Sequence, residues 1–134
     1  MRKLDPHTLL SSLWLFILLN IIFRDIHQFV LKSHLEMLLT GYYDGTLITD
    51  ELMLLGGFLA LVPISMVLLS LLLEPRWLRP ATAVAVVFTA GPAILAPPTD
   101  LDDVLHFSVA FLALAAISWI AWASLGTANK QVQS

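Results

Sequence analysis

The chain has 134 residues, of which 58% are hydrophobic and only 13% are charged, and its mean hydropathy is +0.85. Because a soluble domain carries about 25% charged residues, this composition favours a membrane protein. A formal net charge of −3 without a basic block leaves no electrostatic footprint for nucleic acid, and the absence of cysteine excludes disulfides and thiolate metal sites.

The first predicted element is a membrane-spanning helix from Thr8 to about Leu31. About 20 apolar residues suffice to cross a hydrocarbon core roughly 30 Å thick. The basic start and the apolar run resemble a secretory signal. However, the run ends at Arg24-Asp25 without a small-x-small cleavage pattern, so we interpret it as a retained membrane anchor.

The connection from Lys32 to Glu51 is predicted to be partly structured. The segment His34–Leu39 is typical of a short interfacial helix, and Gly41–Thr46 is typical of a turn in which Asp-Gly supplies positive φ angles. The tyrosines Tyr42 and Tyr43 suit the headgroup zone of a bilayer. We therefore expect this loop to lie at the membrane surface.

Three further apolar stretches are predicted to span the membrane, namely Leu52–Leu73, Pro80 to about Ala96, and Val104–Leu125. The segment Glu74–Pro80 is predicted to be a tight connection, and Pro97-Pro98 to stop the third span. Buried helices of a soluble bundle would need charged faces, which these stretches lack. The sequence thus predicts a single all-α domain over residues 1–134, an integral membrane four-helix bundle.

The basic residues predict the orientation of this bundle. One side of the four-span topology carries Arg2, Lys3, Arg76, Arg79 and Lys130. The other side carries Arg24 and Lys32 together with most of the acidic residues. Because basic residues prefer the cytoplasmic side of short loops, we predict that both termini are cytoplasmic.

A polar cluster is predicted at the outer end of the bundle. Asn20, Arg24 and His27 follow each other at i, i+4 and i+7, so they form one stripe on the first helix. Ionisable groups within a membrane tend to face the bundle interior and to pair with one another. We predict that Arg24 pairs with Asp103 or Asp102, and that His27 approaches a second histidine, His106, across the bundle.

The candidate ligand-binding residues are Asn20, Arg24, Asp25, His27, Glu51, Asp102, Asp103 and His106, and no catalytic residue is assigned. Simpler interpretations remain open for several of them. Asp100, Asp102 and Asp103 could cap the fourth span, and Thr49-Asp50-Glu51 the second. Arg24 could extend to the interface, and His106 could be a hydrogen-bonded core residue.

Four segments carry a resemblance to a known family: residues 23–29, 45–52, 62–70 and 100–103, of which Phe23-Arg24-Asp25-Ile26-His27 is the most specific. They resemble a bacterial family of small four-span membrane proteins of unknown function, and more loosely the DoxX-like membrane proteins. The resemblance implies the four-span topology, a bacterial cytoplasmic (inner) membrane, and importance for Arg24, Asp25 and His27. It brings no activity.

Three functions remain open at this point. The protein could bind a small polar ligand, a proton or an ion in an outward-facing pocket, or assist a transporter. Alternatively, it could be a structural partner in a membrane complex or a homo-oligomer. As a third possibility, His27, His106, Glu51 and Asp102 or Asp103 could bind a metal in a membrane metalloprotein or oxidoreductase-type enzyme. The sequence identifies no cofactor.

Overall fold

The computed structural model describes residues 5–95, 98 and 100–131, with side chains up to residue 123. In these residues the chain forms, in order, α1 (Pro6–Val30), α2 (Lys32–Leu39), β1 (Tyr42–Tyr43), β2 (Thr46–Leu47), α3 (Asp50–Leu72), α4 (Pro75–Leu95) and α5 (Leu101–Gln131). The helices α1, α3, α4 and α5 are long and apolar enough to cross a membrane, by length and composition. The predicted all-α, four-span fold class is therefore confirmed.

The long helices form a ring in which α1 packs against α3 and α5, and α4 packs against the same two helices. Cross-helix hydrogen bonds give the register: Arg24 meets Asp103, and Ser11 meets Val67. We call the end at which α1 and α4 finish and α3 and α5 begin the loop end. The opposite end, where α1 begins, is the terminal end.

The tightly packed core occupies the terminal half of the bundle. It contains Leu10, Trp14, Ile17, Met66, Leu78, Ala85, Ala113, Leu114, Ile117 and Ala121. Large apolar side chains also lie on the outside, such as Leu54, Phe58 and Leu112, each more than 65% exposed. Lipid is the solvent that matches such an apolar surface. A helix can face lipid because it satisfies its backbone hydrogen bonds internally.

Helix α4 begins at Pro75, five residues before the predicted start at Pro80. Proline fits the first helical position, where its missing N–H is not needed, and the Glu74 carbonyl accepts from the amides of Trp77 and Leu78. Only Leu73 and Glu74 remain between α3 and α4. The predicted end of this helix at Ala96 and the stop at Pro97 lie outside the described residues.

Helix α5 extends beyond its predicted span at both ends. It begins at Leu101, because Asp100 caps it: the Asp100 Oδ1 accepts from the Asp103 amide at 2.8 Å. It continues past the predicted end at Leu125 to Gln131, through Gly126. A glycine costs a helix only about 1 kcal/mol relative to alanine, so it does not end one by itself.

The connection between α1 and α3 is structured, as predicted. The strands pair antiparallel with Tyr43 opposite Thr46, which leaves Asp44-Gly45 as a two-residue turn. Both turn residues have positive φ, +47° and +77°, which is the requirement that Asp-Gly meets in tight hairpins. Helix α2 and this hairpin therefore form a small structured unit at the loop end.

Candidate functional site

Facing sides of α1 and α5 bring the polar cluster together at the loop end. The stripe of Asn20, Arg24 and His27 on α1 meets the first two turns of α5. Gln28, one turn after Arg24, joins the same face. The side chains of this stripe thus form a continuous row of contacts with α5.

The aspartates at the start of α5 have three different environments. Asp100 caps the helix through the Asp103 amide. The Asp103 side chain is only 3% exposed and accepts from Arg24 Nε at 2.7 Å and from Gln28 Nε2 at 3.1 Å. Asp102 remains 41% exposed and faces the two histidines. Helix capping therefore accounts for Asp100, while Asp102 and Asp103 also bind side chains of α1.

The Arg24 guanidinium is held from two directions. Its Nε donates to Asp103, and its Cζ lies 4.6 Å from the centroid of the Phe107 ring. Its Nη1 lies 3.9 Å from Asp25 Oδ1. Charge-assisted hydrogen bonding and stacking on an aromatic face both restrict a guanidinium, so Arg24 is held in one orientation.

Asn20 determines which nitrogen of His106 carries a proton. The Asn20 Nδ2 donates to the backbone oxygen of His106 at 2.9 Å, and its Oδ1 lies 2.8 Å from His106 Nδ1. Because the amide nitrogen is committed to a carbonyl, the amide oxygen must accept, and Nδ1 must donate. This assigns a proton to Nδ1 and directs Nε2 away from Asn20.

The two histidines meet at Asp102. His27 Nδ1 lies 3.1 Å from Asp102 Oδ2, and His106 Nε2 lies 3.7 Å from Asp102 Oδ1. The two imidazole rings are 5.8 Å apart, edge to face. Each of the three residues offers one possible metal-ligand atom, and these atoms all lie within 4.8 Å of one another.

Glu51 and Asp25 take positions outside this group. Glu51 is exposed in the first turn of α3, whose cap is Thr49, and the contacts among described residues do not join Glu51 to the cluster. Asp25 follows Arg24 on α1 and lines a neighbouring cavity. The predicted ligand set therefore does not form one site: Asp25 lines the cavity, and Glu51 lies at the exposed start of α3.

A cavity of about 350 Å³ lies among the long helices at the loop end. Its polar lining comes from Arg24, Asp25, Tyr43 and Thr89, and its walls are apolar. A smaller cavity of about 40 Å³ lies beside Asn20, and shares Arg24 and Thr89 with the first. Its volume is enough for water, which needs about 10–15 Å³.

Four residues of this region escaped the sequence interpretation. Gln28 lies four residues after Arg24, so the helical spacing could have identified it. Tyr43 and Thr89 had no local signal, because the hairpin and the packing of α4 bring them to the cavity. The buried Thr89 hydroxyl has no hydrogen-bond partner in the described part of the chain. Phe107 also required the tertiary structure, because only the helix packing places it under Arg24.

Comparison with known proteins gives a family but no activity. Neither a curated protein nor a solved structure matches the chain. One family model, described as a family of unknown function (DUF6326), matches residues 3–127. That range contains every residue of the cluster and of both cavities. The predicted resemblance to a family of unknown function is thus confirmed, and the chain belongs to the DUF6326 family.

Proposed function

We propose that this protein binds a small amphipathic molecule in the 350 Å³ cavity at the loop end, with Arg24 holding the polar end of the ligand. The observation that carries the proposal is the state of Arg24. Among hydrogen bonds between described residues, Arg24 donates through Nε alone, although a guanidinium has five N–H donors. The Arg24 side chain is 22% exposed and lines the cavity, so its remaining N–H groups can reach a ligand oxygen there.

The charges around Arg24 restrict the ligand headgroup. Asp103 already compensates the guanidinium at 2.7 Å, and Asp25 adds a second carboxylate at 3.9 Å from Nη1. A full anion would meet the charge of Asp25 in the same cavity. The fitting headgroup is therefore neutral or zwitterionic, with an acceptor for Arg24 and a donor for Asp25.

The walls of the cavity restrict the rest of the ligand. Leu59, Ala60, Phe88 and Phe107 are among the lining residues, and they favour an apolar body. The volume lies within the range of about 300–1,000 Å³ that is typical of small-molecule sites, which often lie between the helices of a bundle. Tyr43 of β1 is also a lining residue, so the hairpin between α1 and α3 borders this cavity.

The proposed location follows the charge distribution of the sequence. Arg76 and Arg79 lie at the terminal end, at the start of α4, and most of the acidic residues lie at the loop end. With the basic end in the cytoplasm, the cavity faces the outer side of a bacterial inner membrane. Bacterial origin, the likeness to DoxX-like proteins and a transport-accessory role remain predictions from the sequence.

Two adjacent glycines provide a matched test. Gly56 lines the cavity, whereas the described lining residues do not include Gly57. A Cβ added at either position meets nothing within 4 Å. Gly56→Leu should therefore occupy part of the cavity, and Gly57→Leu makes the same chemical change outside the cavity.

The measurement is the thermal stability of the detergent-purified full chain, with leucine, phenylalanine, a monoacylglycerol and a short-chain quinol as probes. We expect at least one probe to raise the melting temperature of wild type and Gly57→Leu, but not of Gly56→Leu. Equal stabilisation of both glycine variants, or stabilisation of none of the proteins, would contradict the proposal.

A structural role is the second candidate, favoured by the same Arg24–Asp103 pair. A buried charge pair can set the register of two helices without any ligand, as is attested in some proteins. Here the pair joins α1 to α5, so it could define how these helices meet. Substitution of both partners by leucine separates the two roles: a purely structural pair can be replaced, whereas loss of Arg24 from a binding site abolishes the response to the ligand.

A further inference from the structure

We infer that His27, Asp102 and His106 form a binding site for one divalent transition-metal ion at the loop end, between α1 and α5. This site goes beyond the proposed function, since the described residues lining the 350 Å³ cavity do not include any of the three. Two imidazoles and a carboxylate suit Zn²⁺, Fe²⁺ or Mn²⁺, whereas Mg²⁺ and Ca²⁺ prefer oxygen ligands.

The distances are close to those of a metal site. Ligand bonds of roughly 2.0–2.2 Å place neighbouring ligand atoms about 2.8–3.6 Å apart, from octahedral to tetrahedral geometry. The two separations from Asp102 are 3.1 Å to His27 Nδ1 and 3.7 Å to His106 Nε2. The ligand atoms of the two histidines lie within 4.8 Å of each other, and the His27 side chain is 54% exposed, so a rotation of its ring can shorten that distance.

The orientation of His106 gives an independent argument. Asn20 holds the proton on Nδ1, so the neutral imidazole has its lone pair on Nε2. That lone pair and Asp102 Oδ1 are both acceptors, and their separation of 3.7 Å is too long for a hydrogen bond. A cation bound by both atoms would make two favourable contacts in this arrangement.

The contact between Asn20 and His106 is also what a metal-bound histidine requires. Such a histidine usually donates its other ring N–H to a carbonyl or carboxylate oxygen, which fixes the tautomer and the ring orientation. The Asn20 amide oxygen provides this acceptor, and its own amide group is fixed by the His106 carbonyl. Asn20 is thus a positioning residue for the site.

The surrounding charges and space are compatible with a metal. Arg24 is the arginine of α1, and its charge is compensated by Asp103 at 2.7 Å. The negative charge of Asp102 is therefore not needed to compensate Arg24 and can stabilise a bound cation. A recess of about 600 Å³, lined by His27, Gln28 and Asp102 among others, leaves room for water at the remaining coordination positions.

The test is a titration of the detergent-purified full chain with Co²⁺, followed by visible absorption and calorimetry, with Zn²⁺ as competitor. We expect one Co²⁺ per chain, displaced by Zn²⁺. His27→Ala, Asp102→Asn and His106→Ala should each weaken Co²⁺ binding at least tenfold. Asn20→Ala should weaken it about 10- to 100-fold, because it removes the acceptor that orients His106.

Matched controls come from the histidines outside the group. His7 contacts the Ser70 carbonyl, and His34 contacts the rings of Phe29 and Tyr43. His7→Ala and His34→Ala should keep Co²⁺ binding. Because the side chains of His27 and Asp102 are partly exposed, their variants should fold even where His106→Ala does not.

Absence of stoichiometric Co²⁺ binding, or a spectrum that His27→Ala and Asp102→Asn leave unchanged, would overturn the inference. Loss of binding in His7→Ala or His34→Ala instead would place the metal elsewhere and overturn it too. The Gly56→Leu variant should bind Co²⁺ as wild type does, so this result is separable from that of the cavity test.

Discussion

Between helices, polar side chains at the terminal end of the bundle bind backbone carbonyls, whereas those at the loop end also bind one another. Ser11 donates to the Val67 carbonyl at 2.7 Å, and His7 Nδ1 lies 2.8 Å from the Ser70 carbonyl. At the loop end, Arg24 binds Asp103 and His27 contacts Asp102. The terminal end is also where the apolar core is packed, while the cavities with polar lining lie at the loop end.

This difference separates stability from binding within one small bundle. A hydroxyl that donates to a carbonyl is satisfied and needs no further partner. A paired guanidinium retains donors, and a histidine with a fixed tautomer retains a lone pair. We therefore expect changes at the terminal end to affect folding alone, and changes at the loop end to affect ligand or metal binding as well.

The largest effect on stability should come from separating Arg24 and Asp103. Arg24→Leu leaves the carboxylate of Asp103, which is 3% exposed, without its arginine. Breaking a buried pair typically costs about 3–5 kcal/mol, whereas replacing both partners with apolar residues is often neutral. We expect Arg24→Leu to lose about 3–5 kcal/mol of unfolding free energy, and Arg24→Leu/Asp103→Leu to recover most of it, in denaturant titrations in detergent.

The control for this pair is Arg76→Leu, since Arg76 and Glu74 are paired but about two-thirds exposed. That variant should be as stable as wild type. A double variant that folds but no longer responds to any probe ligand supports the binding role of Arg24. A double variant as unstable as Arg24→Leu would contradict the pairing argument.

An intermediate effect is expected for Leu10→Ala in the core of the terminal end. Leu10 is fully buried, so the substitution leaves a cavity, and such changes typically cost about 2–5 kcal/mol. Unfolding free energy measures the loss, and Co²⁺ titration measures binding. Stability should fall while the Co²⁺ affinity stays unchanged; a parallel loss of affinity would show that the two ends are coupled.

The smallest effect should be that of Ser11→Ala. It removes the hydrogen bond to the Val67 carbonyl, and hydrogen bonds between membrane helices contribute about 0.6 kcal/mol on average. Thermal unfolding should show a small decrease relative to wild type. Ser12→Ala is the matched control, because Ser12 donates to Thr8 within its own helix and is exposed. A larger effect for Ser12→Ala would contradict the assignment of the cross-helix bond.

Local patterns predicted the elements well because they depend on neighbours in the chain. Apolar runs of sufficient length indicated the long helices, and Asp44-Gly45 indicated the hairpin turn. The spacing of Asn20, Arg24 and His27 placed them on one face, since the helical repeat requires it. Helix α4 starts inside the segment Glu74–Pro80, which was predicted to be a connection, because Pro75 rather than Pro80 takes the first helical position.

The partners of these residues depended on how the helices pack. Asp102 and Asp103 are adjacent in the chain, but they point in directions about 100° apart on a helix. Only the rotation of α5 against α1 decided that Asp103 is buried under Arg24 and that Asp102 faces the histidines. The sequence could therefore name both acids without distinguishing their roles.

The sequence by itself determined that the chain is a bundle of long apolar helices with its ionisable residues gathered at one end, because hydropathy and helical period are properties of the chain alone. The tertiary structure alone decided that Asn20 orients His106, that Tyr43 and Thr89 reach the cavity, and that Glu51 stays apart from the cluster. These features depend on the rotation and register of the packed helices. Contacts between residues that are dozens of positions apart in the sequence determine both.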